Sequence, residues 1–410
     1  MNMNILSNIT KENKQVVTLY ISTVFGILFG ILSSVINTRF LDPAEYGNVR
    51  YIQNIINFIA SLLLFGFFLS GSRLLAISRC EQRSKKIRGV LIIILCVASV
   101  LLVLSMIVCF LLHQTSSIAY LFLISIPVCI YPLLSNYVQT TAQGDNHIYR
   151  LSLSQFLPSL IYIPVAYIIY NFYGASSIKM ILLQWGIYSI IYIIIIASTK
   201  PSFSGLSPIW EELKQENSKY GIQLYVGSLV MVATSYLAGI TIGIFNENNS
   251  EVGFYTLALT VTSPLKTLPA IIGTTYFKKF ALQDKIPSNV FKYTLLLTAI
   301  SCLCFLIIIK PLVIFLYSNT YIVVAKYASW LSVGFCIHGI GDMINRYLGS
   351  HGQGKSIRNS SIYNGLFKVF GFTILVYLWG TNGALITNII CSLIYCGTLV
   401  YYYLRFISNK

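Results

Sequence analysis

The chain has 410 residues, of which 56% are hydrophobic and only 10% are charged, far below the roughly one quarter charged residues of a soluble domain. Its net charge of +16 would suit a nucleic-acid partner if it formed one soluble patch, but the Lys and Arg fall in alternate breaks between apolar runs, which argues against that class. Apolar runs of about twenty residues, enough to cross roughly 30 Å of hydrocarbon, recur along the chain, so an all-α polytopic membrane protein is expected.

In chain order the expected spans are 16–36, 49–68, 90–112, 118–138, 151–170 and 178–197, then 221–245, 252–272, 290–309, 323–347, 363–379 and 384–404. The first follows Lys11 and Lys14 and has no small-residue cleavage site, so it reads as a retained anchor rather than a signal peptide. The even count places both termini on one side of the membrane. Of the 28 Lys and Arg, Arg39, Arg50, Lys179, Lys310 and Lys326 fall at outer ends and Lys266 and Lys368 inside spans. The remainder lie on the side of the N-terminus, which the positive-inside rule makes cytoplasmic. The densest cluster, Arg73, Arg79, Arg83, Lys85, Lys86 and Arg88, reads as a topology signal touching anionic lipid rather than a specific partner site. Outer loops such as 113–117, 171–177, 246–251 and 380–382 are too short for an external catalytic domain.

The polar insert 198–220 separates six spans from six, predicting an N-terminal lobe at 1–197, a cytoplasmic linker at 198–220 and a C-terminal lobe at 221–410. Within the insert, Ser207 and Pro208 start a short helix with Ile209, Trp210 and Leu213 on one side, suited to the lipid interface. Glu45-Tyr46-Gly47 opens the second span and Glu251-Val252-Gly253 the eighth, at an offset near half the chain. This points to a parallel repeat with a pseudo-twofold axis along the membrane normal.

Several motifs carry two readings. Gly349-Ser350-His351-Gly352-Gln353-Gly354-Lys355-Ser356 fits a phosphate-loop pattern, but it joins two spans with no strand before it, so nucleotide binding is not expected. Asp42 and Glu45 resemble the acid pair of a membrane glycosyltransferase, yet Asp42 before Pro43, with Glu45 three residues on, is better read as a helix cap. The nine cysteines read mostly as small packing residues, and Cys302 and Cys304 lack the spacing of a zinc pair. No catalytic residue and no metal ligand set is expected.

Charges within spans are costly and mark function more often than not. Lys266 lies between Pro264 and Pro269, which are expected to bend the eighth span and open its backbone and Lys266 towards a cavity; alternatively the lysine stem snorkels to headgroups. Lys368 and Asp342 either neutralise each other or face the cavity. In the second case Lys368 joins the cationic set and Asp342 couples transport to protons or sodium. Arg39 and Arg50 flank the first outer turn, where guanidinium either reaches headgroups or grips pyrophosphate in a bidentate way. Of the 29 tyrosines, most suit interface anchoring and packing, and some suit stacking on sugar rings in a wet cavity.

The segments Arg39-Phe40-Leu41-Asp42-Pro43-Ala44-Glu45-Tyr46-Gly47, Lys219-Tyr220-Gly221-Ile222, Glu251-Val252-Gly253-Phe254-Tyr255 and Gly352-Gln353-Gly354-Lys355 resemble those of the Wzx-type polysaccharide flippases of the multidrug, oligosaccharidyl-lipid and polysaccharide exporter superfamily. The resemblance implies about twelve transmembrane helices in two six-helix lobes. It also implies transport of an undecaprenyl-pyrophosphate-linked oligosaccharide (an O-antigen or capsule repeat unit) across the bacterial plasma membrane by alternating access. Both termini would be cytoplasmic, and a polysaccharide polymerase and a chain-length regulator would be partners. By matching elements it carries a cationic cavity onto Arg39, Arg50 and Lys266. Where relatives bear an acidic-basic pair late in the seventh span, this chain has Ala238-Gly239. Rival readings are an ion-coupled multidrug exporter, which prefers acids in its cavity, and a membrane polymerase or glycosyltransferase, which needs a large outer loop.

Overall fold

A computed structural model of the chain describes residues 11–113 and 118–408; the expected outer loop at 113–117 lies almost wholly outside them, as do the side chains of Lys11 and Lys14. The described residues are almost all helical and contain no strand. Eight helices are long and apolar enough to cross a membrane, and two further pairs qualify when each bent pair is taken as one span. One of the eight, Gly354–Ser408, has 55 residues, about 80 Å of helix at 1.5 Å per residue, far more than one crossing needs. It doubles back at Gly380 (φ 55°, ψ −138°). A Cβ on Gly383 would stand 1.9 Å from the Leu375 carbonyl oxygen, and one on Gly371 would stand 2.4 Å from the Thr387 methyl, so two antiparallel spans meet there. The 31-residue helix Ser250–Phe280 is long enough to cross but less apolar than those; counted with them, the spans among the described residues number twelve, six in each half of the chain.

Contacts group the chain into two compact units: the described residues through Phe40 with Ile56–Val226, and Leu41–Ile55 with Gly227 onwards. This differs from a division at the polar insert. The insert and residues 221–226 belong to the first unit, and the start of the second span belongs to the second.

In the first unit, helices α1 (Lys11–Phe40), α4 (Glu81–Leu112), α7 (Ile148–Tyr173) and α8 (Ser177–Ser198) are single spans. The expected second span is broken. Helix α2 (Pro43–Leu62) and α3 (Phe67–Ile77) meet at 61°, across Phe65 (φ 45°) and Gly66 (φ 78°). The break frees the Phe65 carbonyl, which accepts a hydrogen bond from Asn217 Nδ2 at 3.1 Å, while Asn217 Oδ1 accepts from Ser70 Oγ at 3.0 Å. A Cβ on Gly66 would stand 2.5 Å from the Gly221 backbone, so glycine answers both the positive φ and the close approach. The fourth span is likewise interrupted, by a 3₁₀ turn at Ile126–Val128 between α5 (Ala119–Ser125) and α6 (Tyr131–Gly144).

The short helix expected in the insert forms as α9 (Ser207–Glu216), burying Ile209 and Leu213. It is not left loose on lipid, because Glu216 pairs with Arg73 at 2.6 Å and Glu212 with Arg83. Part of the basic cluster therefore holds protein. Arg88 goes further, with Nη2 at 2.6 Å and Nε at 3.1 Å from Asp145 Oδ2 and Nη1 at 3.2 Å from the Thr199 carbonyl.

The second unit contains α10 (Ile222–Phe245) beyond Val226, α11 (Ser250–Phe280), α12 (Ser288–Tyr317), α13 (Val323–Ser350), α14 (Gly354–Phe370) and α15 (Val376–Ser408). Helix α13 is central, packed on α11, α12 and α15. Contrary to the expected opening, α11 runs unbroken past Pro264 and Pro269. Pro264 offers no N–H to the Thr260 carbonyl, and the Ser263 hydroxyl donates to that oxygen instead at 2.9 Å, as apolar surroundings demand. The phosphate-loop pattern is a helix terminus. Gly352 (φ 69°) follows α13, the Gln353 N–H reaches the Leu348 carbonyl at 3.0 Å, and the Gly352 N–H reaches that of Gly349 at 3.1 Å, the paired bonds of a Schellman cap.

Candidate functional site

The two turns that sequence matched at half-chain spacing pack on each other within the second unit. Asp42 caps α2, its Oδ1 accepting the Glu45 N–H at 2.8 Å. A Cβ on Gly47 would lie 1.8 Å from the Asn249 carbonyl oxygen, and one on Gly253 would lie 3.1 Å from the Tyr46 ring and 3.2 Å from the Pro43 carbonyl. Asn249 Nδ2 donates to Asn48 Oδ1 at 2.8 Å across the same contact. The paired glycines thus let two helix starts touch backbone to backbone. Arg50 is held locally at this end, donating at 2.8 Å to both the Tyr46 hydroxyl and Gln53 Oε1.

About 20 Å further along α11, at 1.5 Å per residue from Gly253, stands a second group that gathers Lys266, Asp342 and Lys368. Helix α13 presents His338 and Asp342 one turn apart, hence on one face. Asp342 Oδ1 accepts from the Tyr395 hydroxyl of α15 at 3.0 Å and lies 4.0 Å from His338 Nε2. The His338 ring stacks on Tyr395 at 4.4 Å, and Asn345 Nδ2 donates to the Tyr395 hydroxyl at 2.8 Å. Lys266 Nζ sits 5.6 Å from the centre of the Phe335 ring. Its backbone touches α13 at Gly339, where a Cβ would stand 2.8 Å from the Lys266 carbonyl oxygen. Lys368 lies within electrostatic reach of both Lys266 and His338, and Lys266 within that of Asp342.

Of the two readings of Lys368 and Asp342, mutual neutralisation is not seen as an ion pair among the described residues. The ion pairs among the described residues are Arg73–Glu216, Arg83–Glu212, Lys85–Glu81 and Arg88–Asp145, and none joins Lys266 or Lys368 to a carboxylate. Arg39 is exposed in the last turn of α1, in the first unit. Its neighbour Asn37 is buried and accepts hydrogen bonds from Tyr162 and, at 3.2 Å, Tyr170. Sequence reading missed His338 and Tyr395; the four-residue spacing from His338 to Asp342 was the available signal for the first.

Residues 13–277 match the family model described as polysaccharide biosynthesis protein. The chain belongs to that family. Its fold is similar to that of solved transporters. A structure described as lipid II flippase MurJ in an inward closed conformation matches with TM-score 0.76 at 16% identity, covering 96% of this chain and 90% of that one. An inward-facing multidrug resistance MATE family transporter of the MOP superfamily matches with TM-score 0.66 at 15% identity over 97% of this chain and 99% of that one. An outward-facing transporter of the same description matches with TM-score 0.61 at 14% identity over 97% of each chain. No curated protein sequence matches the chain at a significant level. The family protein is thus a multi-pass membrane protein with a transporter fold.

Proposed function

We propose that this protein is a flippase that carries an undecaprenyl-pyrophosphate-linked oligosaccharide between the leaflets of the bacterial plasma membrane by alternating access. One observation carries the reading: Lys266 and Lys368 lie within spanning helices and within electrostatic reach of each other, yet neither forms an ion pair with a carboxylate among the described residues. Two cations so placed in a region that penalises charge are explained by an anion that arrives with the substrate. A multidrug exporter of cationic compounds would set acids in their place.

In this reading the two lysines lower the cost of moving a pyrophosphate through hydrocarbon while the prenyl tail stays in lipid. Arg39 and Arg50 serve the same anion at other stages of the cycle. Asp342, held by Tyr395 and facing His338, exchanges a proton or sodium ion to drive the cycle. Both termini are cytoplasmic, and a polymerase and a chain-length regulator take the product onwards. The test is Lys266→Ala and Lys266→Arg in cells that depend on this gene, with surface polymer and protein level scored separately. Lys266→Ala abolishes surface polymer at normal protein level and Lys266→Arg retains part of it; full polymer in well-expressed Lys266→Ala removes this residue from the mechanism.

A further inference from the structure

The first unit holds a cavity of about 300 Å³ among α1, α6, α7 and α8, whose walls include Thr23, Tyr131, Ser135, Gln139, Gln155 and Tyr188. Among the described residues the lining contains no Lys, Arg, His, Asp or Glu. This excludes whole ligand classes. A phosphate, a uronate or a cationic drug placed there would lose water without meeting a counter-charge. A prenyl chain would strand the amides and hydroxyls against hydrocarbon, which is costly in turn. What remains is a neutral ligand rich in hydroxyls with one apolar face.

The walls match that description. Tyr131 is surrounded by Trp185, Tyr188 and Tyr192, with ring centres 5.4, 5.3 and 5.8 Å away, an aromatic surface on which the C–H face of a pyranose can lie. Beside it stand hydrogen-bonding groups already oriented by neighbours. Thr23 donates to Gln155 Oε1 at 2.9 Å, Gln139 donates to Ser135 at 3.1 Å, Ser159 and the Tyr188 hydroxyl are 2.7 Å apart, and the Tyr192 hydroxyl donates to the Ser154 carbonyl at 2.9 Å. With Gln155 Oε1 accepting from Thr23, the Gln155 amide nitrogen supplies donors to the lining, and serine and tyrosine hydroxyls supply both donors and acceptors. The volume is at the small end of ligand pockets, room for one sugar ring.

We infer that this cavity binds a neutral sugar residue of the transported oligosaccharide, which gives the first unit recognition of the saccharide while the second unit's lysines answer the pyrophosphate. The inference rests on the flippase reading for the origin of the sugar, and its test does not depend on transport. Full-length protein in nanodiscs is probed by saturation-transfer NMR with millimolar glucose, galactose, N-acetylglucosamine and, as a charged control, glucuronate. At least one neutral sugar shows saturation transfer through its apolar C–H face, and glucuronate shows none. Gln155→Leu and Gln139→Leu, both preserving side-chain size, weaken binding about tenfold each, the loss expected for a hydrogen bond left unmade. Two results overturn the inference: no neutral sugar contacting the native protein, or both Gln→Leu variants, folded by their native melting profile, binding as tightly as before. If sugar binds as described and proteoliposomes move no lipid-linked oligosaccharide, the flippase reading falls and the pocket stands.

Discussion

Replacing Asp145 by Asn removes a negative charge from the most enclosed ion pair of the first unit while keeping the shape of its side chain. Arg88 and Asp145 are 7% and 8% exposed, so water cannot take over the interaction. Arg88 makes two bonds to one carboxylate oxygen and a third to the Thr199 carbonyl at the end of α8. The adjacent Gly89 lets the chain after α8 close over α4, where a Cβ would stand 2.0 Å from the Ser202 carbonyl oxygen. One guanidinium thus ties the ends of α6 and α8 to the start of α4. Asp145→Asn leaves it buried with a neutral partner, and breaking a buried pair in this way costs about 3–5 kcal/mol. By contrast Arg73→Ala, whose partner pair is 51% and 19% exposed, costs about 0–1 kcal/mol. Equilibrium unfolding in mixed micelles measures both. Replacing the pair together, Arg88→Met with Asp145→Leu, recovers most of the loss, because the desolvation cost of both charges disappears with them. A cost below about 1 kcal/mol for Asp145→Asn, or a double variant as unstable as the single one, refutes the argument that burial makes this pair indispensable.

Three further outcomes are expected. Gly47→Val puts side-chain atoms where the Asn249 carbonyl oxygen now sits, 1.8 Å from an added Cβ; the forced separation of α2 and α11 costs about 1–3 kcal/mol, and unfolding in micelles of native and variant protein reads it. Cys80 is exposed beside the basic cluster, and backbone N–H groups of Arg83 and Gln82 at the start of α4 hold its thiol below its usual range. In intact cells a permeant maleimide labels it rapidly near neutral pH and an impermeant one does not, and labelling by the impermeant reagent reverses the proposed orientation. Burial, followed by the Arg150 guanidinium, holds His147 below its ordinary value. The folded protein thus excludes a proton that the unfolded chain accepts, so stability is complete above about pH 6.5 and declines as pH falls through that value. His147→Gln abolishes this part of the decline, measured as the unfolding midpoint at pH 5 and pH 8.

The spans were legible because hydrocarbon imposes a length on every crossing, and that length shows in one dimension. What interrupts them was not. The break between α2 and α3 depends on Phe65 taking a positive φ and on Asn217, far away in sequence, reaching the carbonyl it frees. No local signal announces such a partner. Pro264 and Pro269 misled in the opposite direction, since a proline's missing donor suggests an open helix, and the Ser263 hydroxyl immediately before Pro264 supplies the hydrogen bond that closes it. The matched glycines at 47 and 253 were visible as a repeat, whereas their meaning, a backbone contact between the two motifs, appears only in three dimensions.

The charges illustrate the same limit and also what resolves it. In sequence, Arg88 is one of six basic residues in a cluster and Lys266 is an isolated cation in a span, so both look like responses to the membrane. In the structure they separate by whether their charge is answered. Arg88 has its carboxylate and carbonyl in place within the protein, so its position is explained by folding alone. Lys266 has an aromatic face at 5.6 Å, with a second lysine and the Asp342 carboxylate both within electrostatic reach, and it forms no ion pair among the described residues. A lysine without an ion pair is costly within a span. On the flippase reading proposed above, such a cation is retained for an anion that arrives with the substrate. The sugar pocket follows the same logic with the sign removed: its polar groups are oriented by one another, carry no charge, and line a space that the first unit leaves open.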